Sequence, residues 1–257
     1  MKRDDPIMHK KKLRFFTIWT FMILLVFSSF IYVKKNTDRK IVKLMAGTPV
    51  ETSYCIVEGK FPGKTIFVIG GTHGDEIAGW KAAEQLKKMK APKSGTLIIL
   101  SPANAPGCKN NQRNVEPYRD LNRSFPGDKN RDLTDQLASS IYKTILETSP
   151  DLVIDLHEAY REKGNRDFLG NSIIFTDLTG IEELVSYIIE ETQSGALCTK
   201  PFSYYGPAPV GSLNYEVTQG LHIPVITIET SKEDPLKERI NNHIQLVKKI
   251  LEVLQKS

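Results

Sequence analysis

The stretch Ile66-Phe67-Val68-Ile69-Gly70-Gly71-Thr72-His73-Gly74-Asp75-Glu76 constrains the fold more than any other part of this 257-residue chain. Its wholly apolar start reads as a strand buried on both faces, and the two glycines end that strand at a sharp corner. Just past the corner, His73 and Glu76 stand three residues apart at the mouth of a helix. One rigid turn thus presents two side chains of the types that ligate metals.

The rest of the chain repeats the pattern of strand and helix. Tyr54 to Val57, Thr65 to Ile69, Thr96 to Leu100, Asp151 to Asp155, Ser172 to Phe175 and Pro224 to Ile228 read as strands. Glu76 to Lys90, a segment from Asp132 or Thr134 to Glu147, Ile181 to Thr192, Gly211 to Gln219 and Asp234-Pro235 to Gln255 read as helices. Alternation of this kind predicts an α/β fold with a mixed, mostly parallel sheet and helices on both faces. Between Ser101 and about Asn130 lies a long loop rich in Asn, Pro and Gly, and a loop of that length in a compact domain is more often functional than idle.

Charge divides the chain unevenly. The formal charge is +5, but residues 1–40 alone carry +7, so the remainder carries −2 and offers no basic face for nucleic acid. Phe15 to Val33 is 19 residues without a charge, about the ~20 a helix needs to cross a bilayer core, with Trp19 and Tyr32 towards its ends. Lys34-Lys35 stands where a signal-peptide cleavage site wants small residues, which favours an uncleaved anchor over a signal peptide. Six basic residues precede the span against Lys34, Lys35, Arg39, Lys40 and Lys43 after it, a small bias that places the N-terminus inside. The organisation expected is a basic cytoplasmic tail (1–14), a single transmembrane anchor (15–33), a stalk (34–50) and a main domain (51–257) outside the cytoplasm. Cys55, Cys108 and Cys198 form no C-x-x-C pair, so neither a cysteine zinc site nor a redox motif is suggested; a disulfide between two of them stays open.

In parallel sheets, ligand-binding residues collect beyond the C-terminal ends of strands. His73 and Glu76, His157, and Glu229 each follow such an end. Two imidazoles and one carboxylate make a three-ligand zinc site with one position left for water, whose pKa the metal lowers to about 7. Glu158, beside His157, competes for the ligand position on sequence alone. Glu229 suits the second carboxylate, the general base that takes the proton from water and passes it to a leaving amine. Arg113 and the run Arg119-Asp120-Leu121-Asn122-Arg123 supply planar forks and a neutral donor for a carboxylate or an oxyanion.

His73-x-x-Glu76, Asp120-Leu121-Asn122-Arg123, Asp155-Leu156-His157 and the strand ending at Glu229 together resemble the zinc carboxypeptidase superfamily. Within it, roughly residues 50 to 235 look most like the aspartoacylase and succinylglutamate desuccinylase family of deacylases. The resemblance implies a phosphorylase/hydrolase-like α/β fold and one zinc ion per chain, held by His73, Glu76 and His157, with Glu229 as general base. It implies Arg113 as the arginine that polarises the scissile carbonyl, with Arg119 close enough to compete, and Asn122 and Arg123 as the clamp on the substrate's free carboxylate. It also implies that Leu213, in Gly211-Ser212-Leu213-Asn214-Tyr215, meets the substrate side chain, and that Tyr205, or Tyr204 beside it, serves as a mobile tyrosine.

Two departures from the deacylase pattern bear on substrate. Only 28 residues follow Glu229, which leads us to expect a more open cleft without a further C-terminal β-domain, and the anchor is foreign to cytosolic amino-acid catabolism. The expected substrate is therefore a peptide or muropeptide, with N-acyl amino acids the substrates that family likeness implies. The alternative is a non-catalytic cell-surface module that binds such peptides on the same fold.

Overall fold

The computed structural model describes residues 39–160, 169–177 and 179–255, within the compact unit Arg39–Ser257. Among the described residues, β1 (Lys40–Leu44), β2 (Thr52–Glu58), β3 (Phe61–Gly70), β4 (Ser94–Leu100), β5 (Leu152–Ala159), β6 (Ser172–Phe175), β7 (Ser203–Tyr205) and β8 (Val225–Ser231) form one sheet. The strand order is β1-β2-β4-β3-β5-β8-β6-β7. Pairing is parallel for β4–β3, β3–β5, β5–β8 and β6–β7, and antiparallel for β1–β2, β2–β4 and β8–β6. The α/β reading and the mostly parallel centre thus hold.

The strands at the centre carry runs of apolar residues because each buries both faces, with polar side chains entering β5 and β8 towards their C-terminal ends. In β3, Ile66 and Val68 join the core formed with α1 (Ile77–Leu86), α4 (Glu182–Gln193) and α6 (Leu236–Leu254). Phe67 and Ile69 point the other way, into the core formed with α3 (Leu133–Thr148) and α5 (Leu213–Leu221). The short helix α2 (Ala105–Asn110) and a 3₁₀ turn (Leu121–Arg123) lie inside what reads in sequence as one long loop.

Helix α2 braces the glycine corner. Asn104 caps it, accepting a hydrogen bond from Gly107 N at 3.1 Å and donating one to Arg113 O at 3.1 Å. Gly71 has φ +83°, and a Cβ there would sit 2.8 Å from Cys108 Sγ. A Cβ on Gly74 would fall 1.9 Å from the carbonyl carbon of Gly107. The Gly-rich turn is therefore fixed by backbone conformation at one position and by close packing at the other.

Several sequence expectations change. Lys40–Leu44, expected within the stalk of residues 34–50, is an edge strand paired with β2. The ordered unit therefore begins before residue 51. Strand β7 is also additional to the expected elements. The expected tail, residues 1–14, and membrane span, residues 15–33, lie outside the described residues; among the described residues no helix is long and apolar enough to cross a membrane. Cys55, Cys108 and Cys198 are all buried and free, so no disulfide joins them.

Candidate active site

Strands β3, β5 and β8 run parallel, so their C-terminal ends share one edge of the sheet, and β6, antiparallel to β8, begins there with Ser172 opposite Glu229. His73 and Glu76 arrive on the corner after β3, His157 on β5 and Glu229 beside it on β8, where the register pairs His157 with Glu229. Ligand atoms of His73, Glu76 and His157 all lie within 4.8 Å of one another, and all three residues are buried.

Period-two alternation decides between His157 and its neighbour. Val153, Asp155 and His157 share one face of β5, while Glu158 turns to the opposite face. There its carboxylate accepts from Ala78 N at 2.7 Å and pairs with Arg239 of α6. Its backbone N donates to Glu76 Oε2 at 3.0 Å. Glu158 thus supports the site from beneath, and the donor facing Glu76 is His157.

The carboxylate of Glu76 sits between the two rings, 2.7 Å from His73 Nδ1 and 2.8 Å from His157 Nδ1. The far nitrogen of each ring is held by another carboxylate, His73 Nε2 by Asp120 Oδ1 at 3.1 Å and His157 Nε2 by Asp155 Oδ2 at 2.7 Å. Thr72 Oγ1 in turn donates to Asp155 Oδ1 at 3.1 Å. Outer partners of this kind fix ring orientation and raise the basicity of the inner nitrogens. Burial opposes charge on all three groups, yet their mutual attraction wins. It holds Glu76 well below the usual carboxylate range, and, with Asp155 and Asp120, lifts His157 and His73 above the ordinary imidazole value. The two imidazoles face Glu76 through their Nδ1 atoms, and a divalent cation would be held by the same inward-facing donors. The donor set fits zinc: two imidazoles and one carboxylate, with orientation already fixed by outer carboxylates.

Glu229 is buried, and among the described residues its Oε2 has no hydrogen-bond partner. Burial pushes its pKa up to about 8, the histidine charges oppose the rise and the charge of Glu76 adds to it. An unpaired carboxylate oxygen beside a metal-type donor set is costly to leave without a function.

Arg113 donates from Nε and Nη2 to Asp120 Oδ2 at 3.0 and 2.8 Å, and its Nη1 lies 3.6 Å from Glu76 Oε1. Arg119 instead pairs with Asp132 and Asp135 at 3.0 and 2.6 Å and does not line the cavity that Arg113 lines. Asn122 Oδ1 accepts from Leu213 N at 2.9 Å, leaving its amide hydrogens for a ligand. Arg123 Nη1 donates to the carbonyl of Asn122 at 2.7 Å, and among the described residues no carboxylate pairs with it. Both line a cavity of about 370 Å³ together with His73, Glu76, Arg113, His157 and Glu229.

Two expected substrate contacts are not found there. Leu213 is fully buried in the core with Val217, because Ser212 caps α5 and turns the next residue inward; only its backbone N–H serves the site. Tyr205 lines a neighbouring cavity instead, and Tyr204 is exposed on the edge strand. Conversely, sequence reasoning did not foresee Asp120 and Asp155 as ring partners, nor the Lys232–Asp75 pair at 2.7 Å and Tyr160 on the cavity wall. Asp155 was findable, since a residue two before His157 on a strand shares its face.

Residues 62–173 match the model of the succinylglutamate desuccinylase/aspartoacylase catalytic domain, so the chain is similar to that family as its motifs predict. A curated relative, N-alpha-acetyl-L-2,4-diaminobutyric acid deacetylase of Halomonas elongata, is 36% identical over 103 residues, 38% of this chain and 30% of the relative. The chain thus spans under a third of that protein's length. Among solved structures, a succinylglutamate desuccinylase from a Silicibacter species superposes with TM-score 0.65 at 18% identity, over 85% of this chain and 67% of that one. The product-bound cell shape determinant Csd4 of Helicobacter pylori gives 0.62 at 19% identity, over 85% of this chain and 55% of that one. At these identities the superpositions speak for the fold.

Proposed function

We propose that this chain is a zinc-dependent hydrolase that cleaves an amide bond next to a free carboxylate, held at the membrane by residues 15–33 with its hydrolase domain outside the cytoplasm. The observation that carries the chemistry is the convergence of His73, Glu76 and His157 beside a buried Glu229 oxygen that has no partner among the described residues. Zinc at that position supplies Lewis acidity towards a carbonyl oxygen and acidifies water.

The chain's own residues supply the rest. Glu229 takes the proton of the attacking water at its free oxygen and returns it to the leaving amine. Arg113, with two of its nitrogens tied to Asp120, keeps Nη1 towards the reacting carbonyl and stabilises the negative charge that develops there. Asn122 and Arg123 hold the substrate's free carboxylate, Asn122 through the amide hydrogens left over from its bond to Leu213 and Arg123 as a cation not neutralised by any described carboxylate. Substrates in this class are C-terminal peptides, muropeptides and N-acyl amino acids.

The membrane part of the proposal rests on the 19 uncharged residues from Phe15 to Val33 between basic flanks. Protease added to intact cells should digest the hydrolase domain; protection until the cells are lysed would overturn the orientation. For the chemistry, the zinc-loaded protein is screened side by side against N-acyl amino acids, C-terminal peptides and muropeptides. Hydrolysis of at least one class is expected, and peptide binding without turnover in zinc-replete protein would favour the non-catalytic module instead.

A further inference from the structure

We infer that a second cavity, of about 280 Å³, at the β6–β7 end of the sheet is a distal subsite for the acyl portion of a peptide substrate. The inference rests on the hydrolase reading above and adds which substrate class the site is built for. The cavity is lined by Asn171, Lys200, Ser203, Tyr205, Ser231 and Asp234, and it shares Leu169 with the catalytic cavity. Ser231 directly precedes Lys232 of the catalytic cavity wall, so the two spaces follow one another along the same edge of the sheet.

The floor of this cavity is fixed before any ligand arrives. Asn171 accepts from Ser231 N at 2.9 Å through Oδ1, accepts from Ser203 N at 3.0 Å through its carbonyl, and donates to Asp234 Oδ2 at 3.3 Å. It thereby ties together the starts of β6 and β7, the end of β8 and the approach to α6. Asp234 is buried and pairs with Lys200, so the lysine is neutralised and does not await an anion. Among the described residues, the hydroxyls of Ser203, Ser231 and Tyr205 make no hydrogen bonds; each both donates and accepts, the pairing that a peptide backbone requires. Glu233, exposed on the same wall, adds a carboxylate, so the lining disfavours an anion and suits an amide chain that carries no acidic side chain.

Position decides which part of the substrate lies there. Asn122 and Arg123 abut the start of α5, on one face of the sheet, where Asn122 is bonded to Leu213 N. Lys200 and Asp234 follow α4 and precede α6, which cover the other face. The reacting groups on β3, β5 and β8 lie between. With the free carboxylate held at Asn122 and Arg123, the chain on the far side of the scissile bond is the acyl part. An acetyl group ends before the second cavity; a peptide continues into it.

The test is a substrate series on the zinc-loaded full chain in which one C-terminal amino acid carries an acetyl, an acetyl-alanyl or an acetyl-alanyl-alanyl group. We expect kcat/KM to rise with acyl length by about ten-fold or more, since binding energy remote from the reacting bond is used at the transition state. Ser203→Trp, at an exposed strand position where an indole fills the cavity, should remove that gain and leave the acetyl substrate unchanged. Tyr205→Ala should reduce the gain without touching the acetyl substrate. A flat series, or a Ser203→Trp effect equal on all lengths, would overturn the subsite. If none of the series is hydrolysed, calorimetric binding to the same protein separates the two readings. Affinity that grows with length and is lost in Ser203→Trp keeps the subsite and removes the hydrolase; affinity independent of length removes both.

Discussion

Replacing Arg239 by Met isolates the support beneath the metal-type site. The Glu158 side chain is 0% exposed and that of Arg239 14%, so the pair is effectively out of water. In Arg239→Met the carboxylate retains one direct donor, Ala78 N at 2.7 Å, and no opposite charge. Leaving a buried charge unpaired costs about 3–5 kcal/mol. For a unit of this size each kcal/mol corresponds to about 2–4 °C, so the melting temperature of the metal-free protein should fall by roughly 6–20 °C at pH 7. Burial already raises the Glu158 pKa, and losing Arg239 raises it further. With the folded pKa above the unfolded one, the folded state favours the protonated form. The penalty is therefore fully expressed at high pH and relieved as pH falls through the folded pKa towards the unfolded one. The double variant Glu158→Gln/Arg239→Met carries no charge at either of these two positions and keeps an acceptor for Ala78 N, so it should recover most of the loss. Thermal melts by circular dichroism at pH 5, 7 and 8 measure all three. A loss under about 1 kcal/mol at pH 7, or one that deepens on acidification, would refute the reasoning.

Asp155→Asn should weaken zinc binding by about 10–100-fold, measured against a competing chelator, because it removes the anion that orients His157. Arg123→Ala should raise KM for carboxylate-bearing substrates while leaving kcat within a few-fold in steady-state kinetics, as expected for loss of uniform binding. His243 is buried against Thr230 Oγ1 at 3.0 Å, and burial holds its pKa down at about 3. A histidine depressed in the folded state contributes stability above the unfolded pKa of about 6.5, which is lost as pH falls towards 3. His243→Gln should accordingly flatten that acid limb in denaturant titrations.

Much of the fold is legible in sequence because the central strands bury both faces. Ile66 to Ile69 and Leu152 to Ile154 are uninterrupted apolar runs, and the strands they belong to deliver His73 and His157 to one edge. What was not legible depends on tertiary partners. Lys40–Leu44 is a largely exposed strand whose pairing with β2 no local pattern announces. Helix α2, Ala-Pro-Gly-Cys-Lys-Asn, has poor helical propensity and exists because Asn104 caps it and the glycine corner packs on it. Leu213 shows the limit of reading roles from resemblance. Its spacing of four from Val217 on a capped helix points it to the core, and that periodicity was the better guide. Choosing His157 over Glu158, and Arg113 over Arg119, required knowing which face of β5 meets the corner and which aspartates claim each arginine.

The central claim is that Glu229 acts as the base beside a zinc ion held by His73, Glu76 and His157. Zinc stoichiometry and turnover measured together on the wild-type chain and on Glu229→Gln test it most directly. The account predicts one zinc per chain in both, with turnover lower in Glu229→Gln by on the order of 10² or more. Undiminished turnover in that variant, or no zinc bound by the wild-type protein, would contradict it.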